Sequence, residues 1–186
     1  MRIIGGYLKG KTIMPPAGYP ARPTTDFAKE GLFNILENEF DFANRSLLDL
    51  FGGTGSISAE FISRGGAEAV CVEMNRKNAS FISKMHRSLG IKTIRTVHCN
   101  VFDFLDLCNR EFDFIFADPP YQLEGIDTLP NKIFAHQPAI LVQEEAEMKR
   151  AECYFILEHG ADYDFSKHPR FVKERHYGNV HFSFFK

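Results

Sequence analysis

The chain has 186 residues, of which 44% are hydrophobic and 25% are charged, and its formal net charge is -2. These values are ordinary for a globular domain with a substantial core, and they argue weakly against a nucleic-acid partner. We expect no membrane segment and a cytoplasmic protein, because no apolar run reaches about eighteen residues and no signal peptide is visible. We also expect reduced thiols and no metal site, because the four cysteines form no CxxC pair and the seven histidines are scattered.

The N-terminal segment is basic although the whole chain is not. Residues 1–25 contain Arg2, Lys9, Lys11 and Arg22 and no acidic residue before Asp26. This distribution is typical either of a solvated, flexible arm or of a phosphate-binding segment, and composition alone leaves both open. Within this segment the pattern predicts one short strand over residues 8–14.

After this segment, hydrophobic periodicity and breaker residues predict alternating helices and strands. The predicted helices cover 26–40, 56–64, 75–89, 102–108, a stretch beginning near Pro130, and 140–150. The predicted strands cover 46–51, 69–73, 93–98, 112–117 and 153–158, followed by a hairpin of 171–176 and 180–185. This order predicts one α/β unit with a mostly parallel sheet, helices on both faces and one antiparallel strand from the hairpin.

A glycine loop follows the first strand directly and leads into a helix. It reads Gly52-Gly53-Thr54-Gly55, and Glu73 ends the next strand about twenty residues later. Glycines allow close backbone approach to a ligand, and an acid at that place suits the two hydroxyls of a ribose. The third glycine of GxGxxG is absent, since Ser58 stands there. The order favours an adenosine ligand, NAD or S-adenosylmethionine, over a tight turn beside a surface glutamate.

The segment Asp118-Pro119-Pro120-Tyr121 follows the fourth strand, which we expect beside the first strand and open to the same crevice. Two prolines stiffen the loop, and their carbonyls point outward without partners. Acceptors beside a flat ring match an unstacked nucleobase with an exocyclic amine. Holding both amine hydrogens frees the nitrogen lone pair to attack the methyl sulfonium of S-adenosylmethionine. The alternative is a rigid turn with no ligand.

Four stretches resemble the RsmD family of bacterial 16S rRNA guanine-N2-methyltransferases: RIIGG at 2–6, RPTTD at 22–26, 49–55 and 112–121. The resemblance implies a class I S-adenosylmethionine-dependent methyltransferase of Rossmann-like fold, with a seven-stranded sheet. It divides the chain into a basic arm and helix at 1–44, expected to bind RNA, and a methyltransferase domain at 45–186, joined in one compact unit. The implied partner is 16S rRNA in the small ribosomal subunit, and we expect a monomer.

The resemblance also assigns site residues. The catalytic set it implies is Asp118, Pro119, Pro120 and Tyr121. The cofactor-binding set is Asp49, Phe51, Gly52, Gly53, Thr54, Gly55, Glu73, Met74, Asn100 and Val101. The RNA-binding set is Arg2, Lys9, Lys11, Arg22, Thr24, Thr25 and Lys29. Asn100 stands where such enzymes often place an acid, and Lys9-Gly10-Lys11 replaces an Arg-Gly-Arg triplet and so loses bidentate phosphate geometry.

Three alternatives stay open at this point. An adenine-N6 or DNA amino-methyltransferase would use the same acceptors, although the chain has no separate target-recognition domain. An NAD-dependent oxidoreductase would leave residues 118–121 unexplained. A non-catalytic ribosome assembly factor would bind RNA through the basic segment without turnover.

Overall fold

The structure is a computed structural model, and it describes residues 1–16, 18–19, 24–136, 140–144, 147–151 and 153–186. The helices are α1 (Asp26–Glu39), α2 (Ser56–Ser63), α3 (Arg76–Ser88), α4 (Val101–Leu107) and α5 (Leu129–His136), with short 3-10 helices at Gly6–Leu8 and Ile126–Thr128. The strands are β1 (Ser46–Leu50), β2 (Glu68–Glu73), β3 (Ile94–His98), β4 (Phe114–Ala117), β5 (Ile140–Glu144), β6 (Glu147–Ala151), β7 (Tyr154–His159), β8 (Phe171–Tyr177) and β9 (Val180–Phe185).

Seven of these strands form one sheet in the order β3-β2-β1-β4-β7-β9-β8. Strands β3, β2, β1, β4 and β7 are parallel, and β9 runs antiparallel to both of its neighbours. Strands β1 and β4 are buried along their whole length, as central strands covered on both faces must be. The predicted sheet, with one antiparallel strand and β4 beside β1, is confirmed.

Two apolar clusters cover the two faces of the sheet. One contains side chains of α1, α2 and α3, and the other contains side chains of α4 and α5. Phe42, Phe61 and Phe114 meet in the first cluster with ring centroids 5.1–5.8 Å apart. These rings fix the chain entering β1 against α2 and β4, and so they fix the starting point of the glycine loop.

Two predicted elements are wrong. Residues 140–150, predicted as a helix, form strands β5 and β6, paired antiparallel from Ile140 opposite Ala151 to Glu144 opposite Glu147. Glu, Met, Lys and Arg favour helix locally, but cross-strand pairing satisfies the backbone of both segments, and local propensity does not include that gain. The strand predicted over 8–14 is also absent, because Gly6 and Gly10 adopt positive φ and break the extended backbone. A single bridge joins Arg2 and Thr12 instead.

The N-terminal segment packs against α2 rather than projecting from the protein. Ile3, Leu8 and Ile13 are buried. The Leu8 N–H donates to Ser63 Oγ at 2.9 Å, and the Ile4 N–H donates to the Glu60 carboxylate at 2.8 Å. A flexible arm therefore does not describe residues 1–16.

All four cysteines are free thiols, and Cys71 and Cys153 are buried. No helix in the described part of the chain is both long and apolar enough to cross a membrane.

Candidate active site

Four acidic residues meet at the carboxyl edge of the sheet, where the strand order reverses between β1 and β4. They are Asp49 in β1, Glu73 at the end of β2, Asp118 after β4 and Glu158 in β7. Asp49 is in register with Cys71 and Phe116, and Phe116 is in register with Ile156. Because each of the other three acids lies two positions beyond one of these partners, all four project from one sheet face. Ligands of open α/β sheets bind at such a switch point.

The glycine loop closes tightly over the end of β2. The Gly52 N–H donates to the Val72 carbonyl at 2.7 Å, and a Cβ on Gly52 would lie 2.5 Å from Cys71 Sγ. Gly53 and Gly55 adopt φ of 54° and 73°, and Phe51 adopts φ of 62°. A bulky non-glycine residue in the left-handed region is unusual, and such strain concentrates at ligand sites. The glycines therefore let the loop pack against β2 and α3 more closely than residues with side chains could.

Glu73 ties this loop to the end of β2. Its carboxylate accepts from the Gly53 N–H at 3.0 Å and from the Asn75 N–H at 2.7 Å. Burial raises the pKa of Glu73, and these backbone bonds partly offset the rise. A carboxylate has about four lone-pair sites, so two backbone bonds leave acceptors for the hydroxyls of a ribose.

Asp49 binds the first turn of α2, the helix that follows the loop. Ser58, which stands at the missing third glycine, donates its Oγ–H to Asp49 Oδ2 at 2.5 Å and its N–H at 3.2 Å. Burial raises the pKa of Asp49 to about 7. Thr54 is also buried, and its hydroxyl donates to Met1 Sδ at 3.2 Å. The structure therefore places Asp49 and Thr54 beneath the loop, where they support its shape.

The predicted cofactor-binding residues Met74, Asn100 and Val101 differ in their exposure to solvent. The Met74 side chain is 64% exposed beside Glu73. The Asn100 oxygen accepts from the Phe102 N–H at 2.8 Å and so caps α4, while its amide nitrogen faces Met74 Sδ. Val101 is buried in the core. Met74 is therefore exposed at this place, whereas Asn100 caps α4 and Val101 packs in the core.

The segment of residues 118–121 leaves β4 at the same edge. Asp118 is partly buried, and burial, followed by the negative charges of Glu158 and Asp49, raises its pKa well above the usual range. Tyr121 is 53% exposed. One expectation is wrong: the Pro120 carbonyl accepts from the Leu123 N–H at 2.8 Å, because the chain turns back immediately after the motif. Of the three expected acceptors, Asp118 and the Pro119 carbonyl remain.

Three side chains at this site were not anticipated. The Tyr19 hydroxyl donates to the Gly53 carbonyl at 2.6 Å and brings the N-terminal segment over the loop. His86 Nε2 lies 3.0 Å from the Gly55 carbonyl and supports the loop from α3. Glu158 lies at the carboxyl edge of the sheet, level with Asp118. Only Glu158 carried a sequence signal, as an acid inside an otherwise apolar strand.

The predicted RNA-binding residues do not share one surface. Lys9 and Lys11 are exposed, and the Arg2 side chain is 68% exposed beside Asp26. Lys29 is fully buried, with its Nζ 2.7 Å from the Arg2 carbonyl and 3.7 Å from the Glu60 carboxylate. Lys29 is therefore removed from the RNA-binding set, because a buried ion pair holds its charge inside the protein.

The two threonines of the RPTTD stretch have structural partners. The Thr25 hydroxyl caps α1 by accepting from the Ala28 N–H at 3.1 Å. The Thr24 hydroxyl donates to Glu158 Oε2 at 2.8 Å, and both residues are buried. Arg22 lies outside the described residues.

Three histidines that the sequence separates come together where β7, β8 and β9 meet. His176 and His181 both contact Glu174 Oε1, and their rings stack with centroids 4.0 Å apart. His159 is buried and bonds Ser183 Oγ at 2.8 Å. The interpretation that the histidines are scattered is wrong for these three, because strand pairing joins positions that are distant in sequence.

The comparisons with known proteins agree with this geometry. The family model "Conserved hypothetical protein 95" matches residues 1–186. A protein of Escherichia coli K12 named "Ribosomal RNA small subunit methyltransferase D" is 33% identical over 79% of this chain and 76% of its own length. A protein of the same name from Buchnera aphidicola is 32% identical over 66% of this chain, and the match spans 62% of that relative. The solved structure "Putative methyltransferase yhhF from Escherichia coli" has a TM-score of 0.81 at 26% identity, covering 100% of this chain and 96% of that one.

The family model matches every residue of the chain, and two relatives are more than 30% identical to it. These matches establish the family of this chain. The chain belongs to the family described as "Conserved hypothetical protein 95", in which curated relatives carry the name ribosomal RNA small subunit methyltransferase D, and the resemblance to the RsmD family is confirmed.

Proposed function

We propose that this protein transfers a methyl group from S-adenosylmethionine to the exocyclic N2 amine of a guanine in the rRNA of the small ribosomal subunit. The names of the curated relatives support the substrate class. The observation that carries the chemistry is the position of Asp118 and Tyr121 at the same sheet edge as the glycine loop and Glu73. No other arrangement in the described part of the chain combines an adenosine cradle with an acceptor pair and a ring face.

The residues present fit this cofactor. Gly52 and Gly55 have no side chains, which lets the loop backbone pack closely against β2 and α3, and the Glu73 carboxylate lies beside this backbone for the ribose hydroxyls. Met74 and Asn100 lie next to Glu73, on the side where an adenine ring would be held. When bound, S-adenosylmethionine supplies an electrophilic methyl group. Tyr19 covers the loop through its bond to the Gly53 carbonyl and helps to exclude water.

The opposite side of the crevice holds the target base. Tyr121 offers its face for stacking, and the exocyclic amine donates one hydrogen to Asp118 and one to the Pro119 carbonyl. These bonds strengthen as the nitrogen gains positive charge, so they stabilise the transition state more than the ground state. The base must leave its stack to reach this position. Asp118 then receives the proton that the amine loses.

The N-terminal segment supplies the surface for the RNA backbone. Lys9 and Lys11 are exposed on a segment that is anchored to α2, and Tyr7 is exposed beside them. We include Arg22 in this surface on its charge and its place in the sequence. Residues 1–44 thus act as an RNA-binding extension of the domain at 45–186, and the protein works as a monomer in the cytoplasm, where ribosomal subunits assemble.

This surface has its own test. Lys11→Ala removes one phosphate contact, so we expect weaker RNA binding and a salt dependence of log K reduced by roughly one unit of slope. Filter binding at several salt concentrations measures both quantities. An unchanged slope would remove Lys11 from the surface.

The catalytic assignment is tested by Asp118→Asn, which keeps the size of the side chain and removes its charge. We expect methyl transfer to fall by a factor of at least about 100, in the range seen when one transition-state acceptor is lost, while the affinity for S-adenosylhomocysteine in calorimetry stays within about twofold. Asp127→Asn makes the same change at an exposed position of the 3-10 helix Ile126–Thr128, outside the proposed site, and should leave both quantities unchanged. An active Asp118→Asn protein would refute the assignment.

A further inference from the structure

Glu158 is an acid at a buried position of the sheet. It belongs to β7, whose residues are all buried, and it is 3% exposed. Burying a carboxylate is costly unless a partner compensates it. Its hydrogen-bond partner among the described residues is Thr24, whose hydroxyl donates at 2.8 Å across 134 positions of sequence. Within residues 22–26, Thr24 therefore contacts the carboxyl edge of the sheet, and Thr25 caps α1.

The sheet register places Glu158 beside Asp118. Ala117 is in register with Leu157, so the next residues, Asp118 and Glu158, lie at the same level. Neighbouring strands are about 4.8 Å apart, and residues at the same level point to the same face. Within the described residues, the ionisable groups that act on Asp118 are Glu158 from β7 and Asp49 from β1, and Thr24 faces Glu158 from the chain before α1. Both groups acting on Asp118 are acids.

We propose that Glu158 is a positioning residue for methyl transfer: its carboxylate, fixed by Thr24 beside Asp118, makes Asp118 a stronger proton acceptor for the methylated amine. This inference rests on the proposed function, and it deepens the role of the same site.

The step balances without a further reactant. The N2 lone pair forms the bond to the methyl carbon while the bond from that carbon to sulfur breaks, and the nitrogen becomes positive. One N–H proton then passes to a carboxylate oxygen of Asp118, and its electron pair stays on nitrogen. When Asp118 becomes neutral, its repulsion with Glu158 disappears, which favours this transfer. Asp118 later returns the proton to solvent.

The same repulsion sets the sign of the pH effect. Burial and the charge of Glu158 raise the pKa of Asp118, so Asp118 is the ionised acceptor only above that raised value. Glu158→Gln removes the charge and keeps an oxygen that can accept the hydrogen bond from the Thr24 hydroxyl. The pKa of Asp118 should therefore fall in this variant, and the acid limb of the activity profile should move to lower pH.

The direct test is a titration of the free protein followed by carboxyl ¹³C NMR, with the Asp118 resonance assigned by its loss in Asp118→Asn. We expect the Asp118 midpoint to fall by about one pH unit or more in Glu158→Gln, the usual size of the effect of a close like charge. Glu68→Gln makes the same substitution at the opposite end of β2, where Glu68 is exposed, and should not move the midpoint. An unchanged midpoint in Glu158→Gln would overturn the inference.

The pH profile of kcat/KM gives the second readout. The acid limb should move to lower pH in Glu158→Gln by the same amount as the NMR midpoint, whereas a merely structural role would lower the rate at every pH and leave the limb in place. A limb that stays in place would contradict the inference. Absence of transfer by the unaltered protein would instead refute the proposed function, and the titration would still decide whether Glu158 controls the proton affinity of Asp118.

Discussion

Replacing Gly6 by alanine should detach the N-terminal segment from α2. Gly6 has φ of +72°, and an added Cβ would lie 1.6 Å from the Ser63 carbonyl oxygen. The left-handed conformation alone costs an alanine about 1–2 kcal/mol. The overlap with helix backbone cannot be relieved by a rotamer change, so the segment must move and expose Ile3 and Leu8, at about 1.5–3 kcal/mol for each side chain. The expected loss in free energy of unfolding is therefore about 4 kcal/mol or more.

Gly10→Ala is the matched control for this prediction. Gly10 has φ of +85°, and a Cβ there would meet nothing within 4 Å. It should cost only the conformational term, about 1–2 kcal/mol. Urea denaturation followed by circular dichroism at 222 nm measures both losses, and this signal suits a chain without tryptophan. Equal losses in the two variants would refute the packing of this segment against α2.

Three further predictions follow from the site and its support. Glu73→Gln should weaken S-adenosylhomocysteine binding by roughly tenfold or more in calorimetry, because it removes a charged acceptor from the ribose site; unchanged affinity would exclude Glu73 from that site. Lys29→Met should lower the free energy of unfolding by about 1–3 kcal/mol, since it removes the donor to the Arg2 carbonyl and one of the two cations beside Glu60, while Arg64 stays paired with Glu60 at 2.7 Å; a neutral result in urea denaturation would contradict the buried pair. Burial raises the pKa of Asp49 to about 7, so the folded state holds that proton more tightly than the unfolded state. This contribution to stability is full below about pH 4 and is lost as the pH rises through 7, on the order of 1 kcal/mol per unit, and Asp49→Asn should remove that slope in denaturation at pH 5 and pH 8.

Much of the site was predictable because its signals are local. The strand before Gly52, the acid about twenty residues later and the stiff Asp118-Pro119-Pro120 turn each follow from short stretches of sequence. The alternation of strands and helices then places them at one sheet edge, since parallel strands share their carboxyl ends. These positions agree with the structure.

The remaining features depend on contacts between distant residues. The burial of Lys29 is set by Glu60, and the role of Thr24 is set by Glu158, so neither is visible in a window of sequence. The hairpin of β5 and β6 was missed for the same reason, because its helix-favouring residues gain more from pairing across strands than local propensity indicates.

The central claim is that this site methylates a guanine amine in small-subunit rRNA. It is tested most directly with labelled S-adenosylmethionine, small ribosomal subunits lacking the modification, free 16S rRNA and duplex DNA as substrates, and identification of the product nucleoside by mass spectrometry. The account predicts N2-methylguanosine from the ribosomal substrates. N6-methyladenine as the product would keep the acceptor chemistry of Asp118 and contradict the assigned base, and a lack of transfer to all three substrates would contradict the proposed function itself.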